Sequence, residues 1–313
     1  MLLLRGSVFL LAPASVEALA TDTPATYYVL TFLSELGIWE YRLVEFLLLF
    51  FHAIYLTVIV RKHRLVTEYL LLPGAMYLLV ASAIPPFLGI SSILLANTFI
   101  LIAFDQLMST YRKPKAAGNI FNTGLWIAIA SLFYFPYLFF LLLAIFGLSS
   151  LRAFKLNEFF SMLFGAITVF FLAATITFWN DHLSYFLEQQ FVVNSNLLNL
   201  SLSQRDFFLV ELLLMAFLLL MVLFGYSSIM LKQNIQFQKK VGILYIMLAI
   251  SPFALVLQPS LSVSHLGILI VPIGVLLGLL LSNIGKTTAE LLHFILLVLV
   301  LAWQLNPYWL SSG

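Results

Sequence analysis

The sequence contains no cysteine. Disulfides, thiolate metal sites and cysteine nucleophiles are thereby excluded, and the redox compartment is left open. Charge is almost as scarce. Asp, Glu, Lys and Arg make up 9% of the 313 residues, where a soluble domain carries about a quarter. Glycine-rich nucleotide loops are missing as well: Lys286 in "NIGKTT" lacks the glycine run of a P-loop, and "FGLSSL" is not one. No HExxH or comparable spacing occurs, so neither a metal nor another cofactor is expected. No internal repeat is visible, so an inverted-repeat transporter is not suggested. The largest non-membrane piece, "NDHLSYFLEQQFVVNSNLLNLSLSQRD", is too short for an independent core.

What is present is apolar. The chain is 63% hydrophobic with a mean hydropathy of +1.08, which predicts an all-α polytopic membrane protein forming one integral domain over residues 1–313. The net charge of +2 does not point to nucleic acid, because the basic residues sit in short clusters between apolar spans. Membrane lipids are the expected surroundings.

Runs near the length needed to cross about 30 Å of hydrocarbon fall at 43–60, 69–84, 91–109, 118–134, 136–150, 158–179, 207–230, 241–257, 266–282 and 290–306. With the opening segment they make about eleven. That opening, "MLLLRGSVFLLAPASVEALA", imitates a signal peptide with Arg5 and an Ala18-Leu19-Ala20 site. An uncleaved first span fits the rest of the chain better. Pro136 splits "YFPYLF", leaving either one broken helix or two short ones.

Orientation follows from the basic clusters. "RKHR" (Arg61 to Arg64), "YRKPK" (Arg112, Lys113, Lys115), "LRAFK" (Arg152, Lys155), "KQNIQFQKK" (Lys232, Lys239, Lys240) and Lys286 fall in every second loop and hold twelve of the fifteen Lys and Arg residues. The positive-inside rule puts these loops and the N-terminus in the cytoplasm. The stretch 20–42 and the loop 180–206 then share the outer face.

The outer stretch "ATDTPATYYVLTFLSELGIWEYR" reads as a surface helix over 24–38. Thr23 is placed to cap it, Pro24 stands at its first position, and Thr31, Ser34 and Glu35 share a polar face. Trp39 and Tyr41 are interfacial anchors. Asp22 lies just ahead of the helix, where the macrodipole favours a carboxylate. A cap, a surface helix and an anchor explain all of this structurally. The same geometry admits a functional reading, in which an outer carboxylate takes a proton from an acceptor hydroxyl that attacks a lipid-phosphate sugar. Such chemistry needs a cation near the departing phosphate. Arg42 and Arg205 are the basic residues near that face, and both also read as snorkelling span ends.

"WNDH" ends a span on the same face, so Asp181 and His182 read as an acid–base pair or as a plain polar helix end. Within the spans, Glu45 and Glu211 lie toward outer ends, Asp105 and His293 toward inner ends, and His52 near the middle. Glu45 and His52, seven apart, share one helix face and are candidates for an inward-facing pair.

The run "YRLVEFLLLFFHAIYLTVIVRKHRL", then "ILLANTFILIAFDQLMSTYRK", then "NIFNTGLWIAIASLFYFPYLFFLLLAIFGLSSLRAF" resembles an uncharacterised bacterial family of polytopic inner-membrane proteins with a domain of unknown function. More distantly, these pieces resemble the membrane module of GT-C glycosyltransferases. The likeness covers residues 20–180, with "FNTGLWIAIASLFYFP" its most specific part; 207–306 adds further helical spans. It implies sugar transfer from a polyprenyl-phosphate donor in envelope biogenesis, with Asp22 as the catalytic carboxylate, acting as base, and Glu35 second. Arg42, Arg205, Asp181 and His182 would then bind substrate. "ATDTPAT" retains at most the end of the acidic and aromatic pattern of related loops, so the fold admits a degenerate, inactive relative. The alternatives are a non-catalytic subunit of an envelope assembly and a lipid or solute transporter.

The topology carries a direct test, since a chain without cysteine accepts single reporters. A cysteine replacing Lys113 is expected to react with a membrane-impermeant maleimide only after the cytoplasmic side is opened, and one replacing Ser184 in intact spheroplasts. Outer labelling at Lys113 would overturn the map.

Overall fold

The computed structural model describes residue 4 and residues 23–66, 71–153, 155–191, 208–231, 233–256 and 263–304. The opening segment, expected as a first span, lies outside them apart from Leu4. Among the described residues every regular element is a helix: α1 (Pro24–Ser34), α2 (Ile38–Lys62), α3 (Leu72–Val80), α4 (Ser92–Met108), α5 (Ala117–Phe133), α6 (Phe140–Leu151), α7 (Leu156–Trp179), α8 (Leu183–Gln190), α9 (Phe208–Phe224), α10 (Tyr226–Met230), α11 (Ile235–Val256), α12 (Ile270–Asn283) and α13 (Lys286–Gln304). Short 3₁₀ turns stand at Pro85–Phe87, Phe135–Phe139 and Val263–Leu269. Four helical segments are long and apolar enough to cross a membrane by length and composition: α2, α7, Val263–Asn283 and α13.

The loops sort to two ends of the bundle. At one end Lys62 and His63 meet Asp105, Lys240 meets His63, Arg152 Nη1 donates to the Lys113 carbonyl at 3.1 Å, and Gln233 donates to Asn283. These contacts gather the basic loops. The last but one also decides the "YFPYLF" question. The start of α5 lies beside the end of α6, so the two form a hairpin of short helices turned at Pro136 rather than one broken span. At the opposite end the Tyr41 hydroxyl and the Glu45 carboxylate accept from the backbone N–H groups of Ile90 and Gly89, at 2.9 and 3.1 Å.

The centre of the bundle is α12. In the span Val263–Asn283, 89% of the apolar window is buried inside the protein, against 22% for α7 and for α13. α12 packs on α3 through Gly274 and Gly278: a Cβ on Gly274 would fall 2.7 Å from the Tyr77 Cα, and one on Gly278 would strike Pro73. Without a hydrophobic drive between helices in lipid, small residues that let backbones approach are what hold such pairs. The same device joins α5 to α7, where Gly124 faces the Met162 carbonyl and Gly165 the Phe121 carbonyl.

The span expected at 69–84 is shorter than that. α3 has nine residues, about 14 Å at the usual helical rise, and cannot cross the hydrocarbon alone. Its irregular continuation is enclosed by protein: Ala81, Ser82, Ala83 and Ile84 are buried, and Gln304 at the end of α13 donates to the Ser82 carbonyl. Non-helical backbone at such depth is tolerated only under that kind of cover.

The end of α5 is sealed from outside its own sequence. Three carbonyls of its last turn accept side-chain hydrogen bonds: Ser131 from Gln190 at 2.8 Å, Leu132 from Thr23, and Phe133 from Thr26 at 2.7 Å. Thr23 therefore stands at the N-cap position of α1, with Pro24 following, but makes no side-chain cap there. Its hydroxyl serves the C-terminus of α5 instead. α1 also ends at Ser34 rather than 38, because Gly37 adopts an extended conformation and starts α2. Leu30 and Leu33 pack with Tyr41 and Ile90, leaving Thr31, Ser34 and Glu35 exposed as the polar face.

α2 reverses the pattern of a soluble helix. Its exposed side carries Leu43, Leu47, Phe50, Phe51, Ile54 and Val58, while Tyr41, Arg42, Glu45 and His52 are buried. Glu45 and His52 do point inward together. His52 Nδ1 lies 2.8 Å from the Tyr77 hydroxyl and Nε2 2.8 Å from the Thr98 hydroxyl, so α2, α3 and α4 are tied at mid-length by a fully partnered imidazole.

Candidate functional site

Of the residues predicted for an outer-face site, the structure describes Glu35, Arg42, Asp181 and His182. Asp22 and Arg205 lie outside the described residues. Glu35 is the exposed C-cap of α1. Arg42 is buried, with Cζ 5.9 Å from the Trp39 ring centroid. Asp181 and His182 are exposed and form the end of α7. The Asp181 N–H donates to the Phe178 carbonyl at 3.1 Å and the His182 N–H to the Thr177 carbonyl at 2.8 Å. This is a Schellman arrangement, and Asp181 occupies its left-handed position with φ +58°. His182 Nδ1 turns back to the Asn180 carbonyl, away from Asp181. Among the described residues, no hydrogen bond or ion pair links Glu35, Asp181 or His182 to Arg42.

The basic end is richer. Asp105, near the end of α4, accepts from Lys62 Nζ at 2.7 and 2.9 Å and from His63 Nε2 at 2.7 Å. The other face of His63 is met by Lys240 of α11, whose Nζ donates to Nδ1 at 3.1 Å. These partners assign a neutral imidazole protonated on Nε2. Burial holds His63 below its ordinary pKa, with the Asp105 hydrogen bond opposing and Lys240 adding to the shift. Asp105 thus binds α2, α4 and, through His63, α11. Sequence reading placed Asp105 at an inner span end but missed His63 and Lys240, which lie far apart in the chain and meet only through helix packing.

Beside this network opens a cavity of about 930 Å³, at the upper end of the range typical of small-molecule sites. Its wall is apolar, with Leu65, Leu72, Ala75, Phe237, Leu281 and Phe294 among the lining residues. Its ionisable groups are Arg64, Lys286, Glu290 and His293. Among the described residues none of these four has a hydrogen-bond or ion-pair partner. His293 Nδ1 is out of contact with solvent and lacks a hydrogen bond. The polar amides differ. Gln233 Nε2 donates to Asn283 Oδ1 at 3.1 Å, Asn283 Nδ2 to the Leu279 carbonyl at 2.8 Å, and Asn234 Oδ1 accepts from the Phe237 N–H at 2.8 Å.

Arg64 is positioned by the turn that ends α2. The Leu65 N–H donates to the Val60 carbonyl at 2.9 Å and the Arg64 N–H to Arg61 at 3.0 Å, again a Schellman motif, with Arg64 left-handed at φ +56°. Leu65 is buried behind it, so the backbone under Arg64 is fixed. Sequence reading noted His293 and Lys286 near the same end. It offered no reason to join them to Arg64, because the wall comes from four separated segments.

Comparison of the chain with protein-family models, with characterised proteins and with solved structures finds no match.

The Asp181 geometry separates a structural role from a chemical one. A left-handed conformation costs an L-residue up to about 1–2 kcal/mol and glycine almost nothing. Asp181→Gly is therefore expected to raise thermal stability in detergent by about 1 kcal/mol or less. A fall in the unfolding midpoint would mean that the carboxylate makes an interaction of its own.

Proposed function

We propose that this chain is a multi-pass protein of the bacterial inner membrane, with its basic end in the cytoplasm, and that it binds an amphiphilic lipid in the cavity at that end. One observation carries the reading: a cavity with an apolar wall, and with ionisable groups that are unpaired among the described residues, sits where the basic loops gather. The apolar wall suits acyl or isoprenoid chain, and the ionisable groups suit a headgroup at the level where lysine and arginine meet the membrane surface. A cavity of about 930 Å³ holds a headgroup and the first part of a chain, within the size range of ligand sites. The four apolar segments that can cross a membrane support the setting, and the sharing of one end by the basic loops supports the orientation.

The test uses the full-length protein in membranes containing a photoactivatable diacyl lipid. Cross-links are expected in peptides covering residues 64–75 and 281–294. Ala75→Trp, which fills the cavity, is expected to remove most of them. Labelling spread evenly over α2, α7 and α13, and unchanged by Ala75→Trp, would refute the reading.

A second reading draws on the opposite end, where Arg42 is buried beside α1. There the GT-C resemblance would place transfer of a sugar from a polyprenyl-phosphate donor, in envelope biogenesis, with Asp22 as base. Removal of a general base costs about 10²–10⁴-fold in rate. Asp22→Asn is expected to abolish transfer by reconstituted protein while sparing its folding. Equal transfer by wild type and variant would exclude Asp22, and no transfer by wild type across a donor panel would leave the lipid-binding reading alone.

A further inference from the structure

Accepting that the cavity binds a lipid, we infer that its ligand is specifically a phosphate-bearing anionic lipid, held between Arg64 and Lys286. Three features of the site point to an anion. Arg64 and Lys286 arrive from separate elements, the end of α2 and the start of α13, and among the described residues neither is paired with a carboxylate. Lys240, buried at the neighbouring network, adds repulsion to Arg64. Two helices, α11 and α13, begin at the cavity. Neither has an acidic residue in its first turn, so the positive ends of their dipoles are uncompensated from within. Phosphate oxygens suit helix N-termini because several N–H groups are directed at one place.

Glu290 is the opposing group. It lines the same cavity and is exposed. Among the described residues the cavity holds one carboxylate against two cations, so its net charge is positive. An ammonium-bearing zwitterion could use Glu290, yet would leave one of the two cations unbalanced. The anion therefore fits better, and the outcome with phosphatidylethanolamine decides between them.

Arg64 also offers a clean variant. Because it sits at φ +56°, Arg64→Gly removes the guanidinium while relieving the backbone, so loss of fold does not confound the result. Lys286→Gln keeps helix propensity nearly unchanged.

The experiment measures lipid binding to intact protein in neutral detergent by native mass spectrometry. The ligands are phosphatidylglycerol, dodecyl phosphate, phosphatidylethanolamine and phosphatidylcholine, with inorganic phosphate as competitor. Each basic residue near a membrane surface contributes attraction worth about fivefold in binding. Phosphatidylglycerol and dodecyl phosphate are expected to bind at least about fivefold more tightly than phosphatidylcholine. Arg64→Gly and Lys286→Gln should each lower anionic-lipid binding by about fivefold and leave phosphatidylcholine unchanged. Preference for dodecyl phosphate over phosphatidylglycerol would identify a monoester ligand, and the reverse a phospholipid; either supports the inference. Equal binding of all four, with loss on Ala75→Trp, would overturn the anion and keep the lipid cavity. Tightest binding of phosphatidylethanolamine would overturn it in favour of a zwitterion. Displacement of dodecyl phosphate by equimolar inorganic phosphate would assign the cations to a free anion and overturn the lipid. Absence of any binding that Ala75→Trp removes would overturn the cavity reading itself.

Discussion

Backbone hydrogen bonding in an apolar medium is the constraint on which this structure depends. A helix leaves its last four carbonyls without intrahelical partners, and in hydrocarbon each such group costs several kcal/mol if no water reaches it. This bundle breaks its helices repeatedly, at α3, at Pro136 and before α12. At the ends of α3 and α5 and ahead of α4, a polar side chain from elsewhere meets the backbone. Gln190, Thr23 and Thr26 close α5, Gln304 supports the turn after α3, and Tyr41 and Glu45 hold the Gly89–Ile90 backbone. These contacts span the chain from its first described helix to its last, and so fix the relative positions of helices whose apolar surfaces alone would pack in several ways.

The same constraint changes the meaning of polar residues in the sequence. Glu45 and His52 stand out in an apolar span, and intramembrane ionisable groups are functional candidates by default. Here Glu45 receives a backbone N–H, and both nitrogens of His52 have partners. Thr23 and Asp181 likewise serve helix ends. Polar residues that complete a backbone bond are occupied and have little left to offer a ligand.

Charge at the basic end divides in a corresponding way. Lys62, His63, Asp105 and Lys240 satisfy one another. Lys62 is half exposed, while His63, Asp105 and Lys240 are buried; a buried set of this kind contributes little net stability, yet losing one member strands the rest, and it therefore serves to set the register of α2, α4 and α11. Arg64 is adjacent in sequence to His63 but lines the cavity with Lys286, Glu290 and His293, and none of the four is paired among the described residues. The turn that ends α2 sends one side chain to the network and the next to the cavity. The lipid-binding proposal accordingly rests on groups at the basic end, while Asp22 of the outer loop lies outside the described residues.

The amino-acid sequence by itself determined the apolar helical class, most helix positions, the inward face shared by Glu45 and His52, and the grouping of basic loops at one end. Hydropathy and charge act locally along the chain, and each span or loop carries its own signal. Tertiary structure alone decided that α3 is a short enclosed helix, that α5 and α6 form a hairpin, and that Thr23 closes α5 rather than α1. It alone decided the cavity, too. Residues 64–75, 233–237 and 281–294 each read as an ordinary basic loop or span end. Their joint property, an apolar wall with unbalanced charge, exists only once α12 has drawn α3, α11 and α13 around it, because packing between distant helices leaves no periodic mark in any one of them.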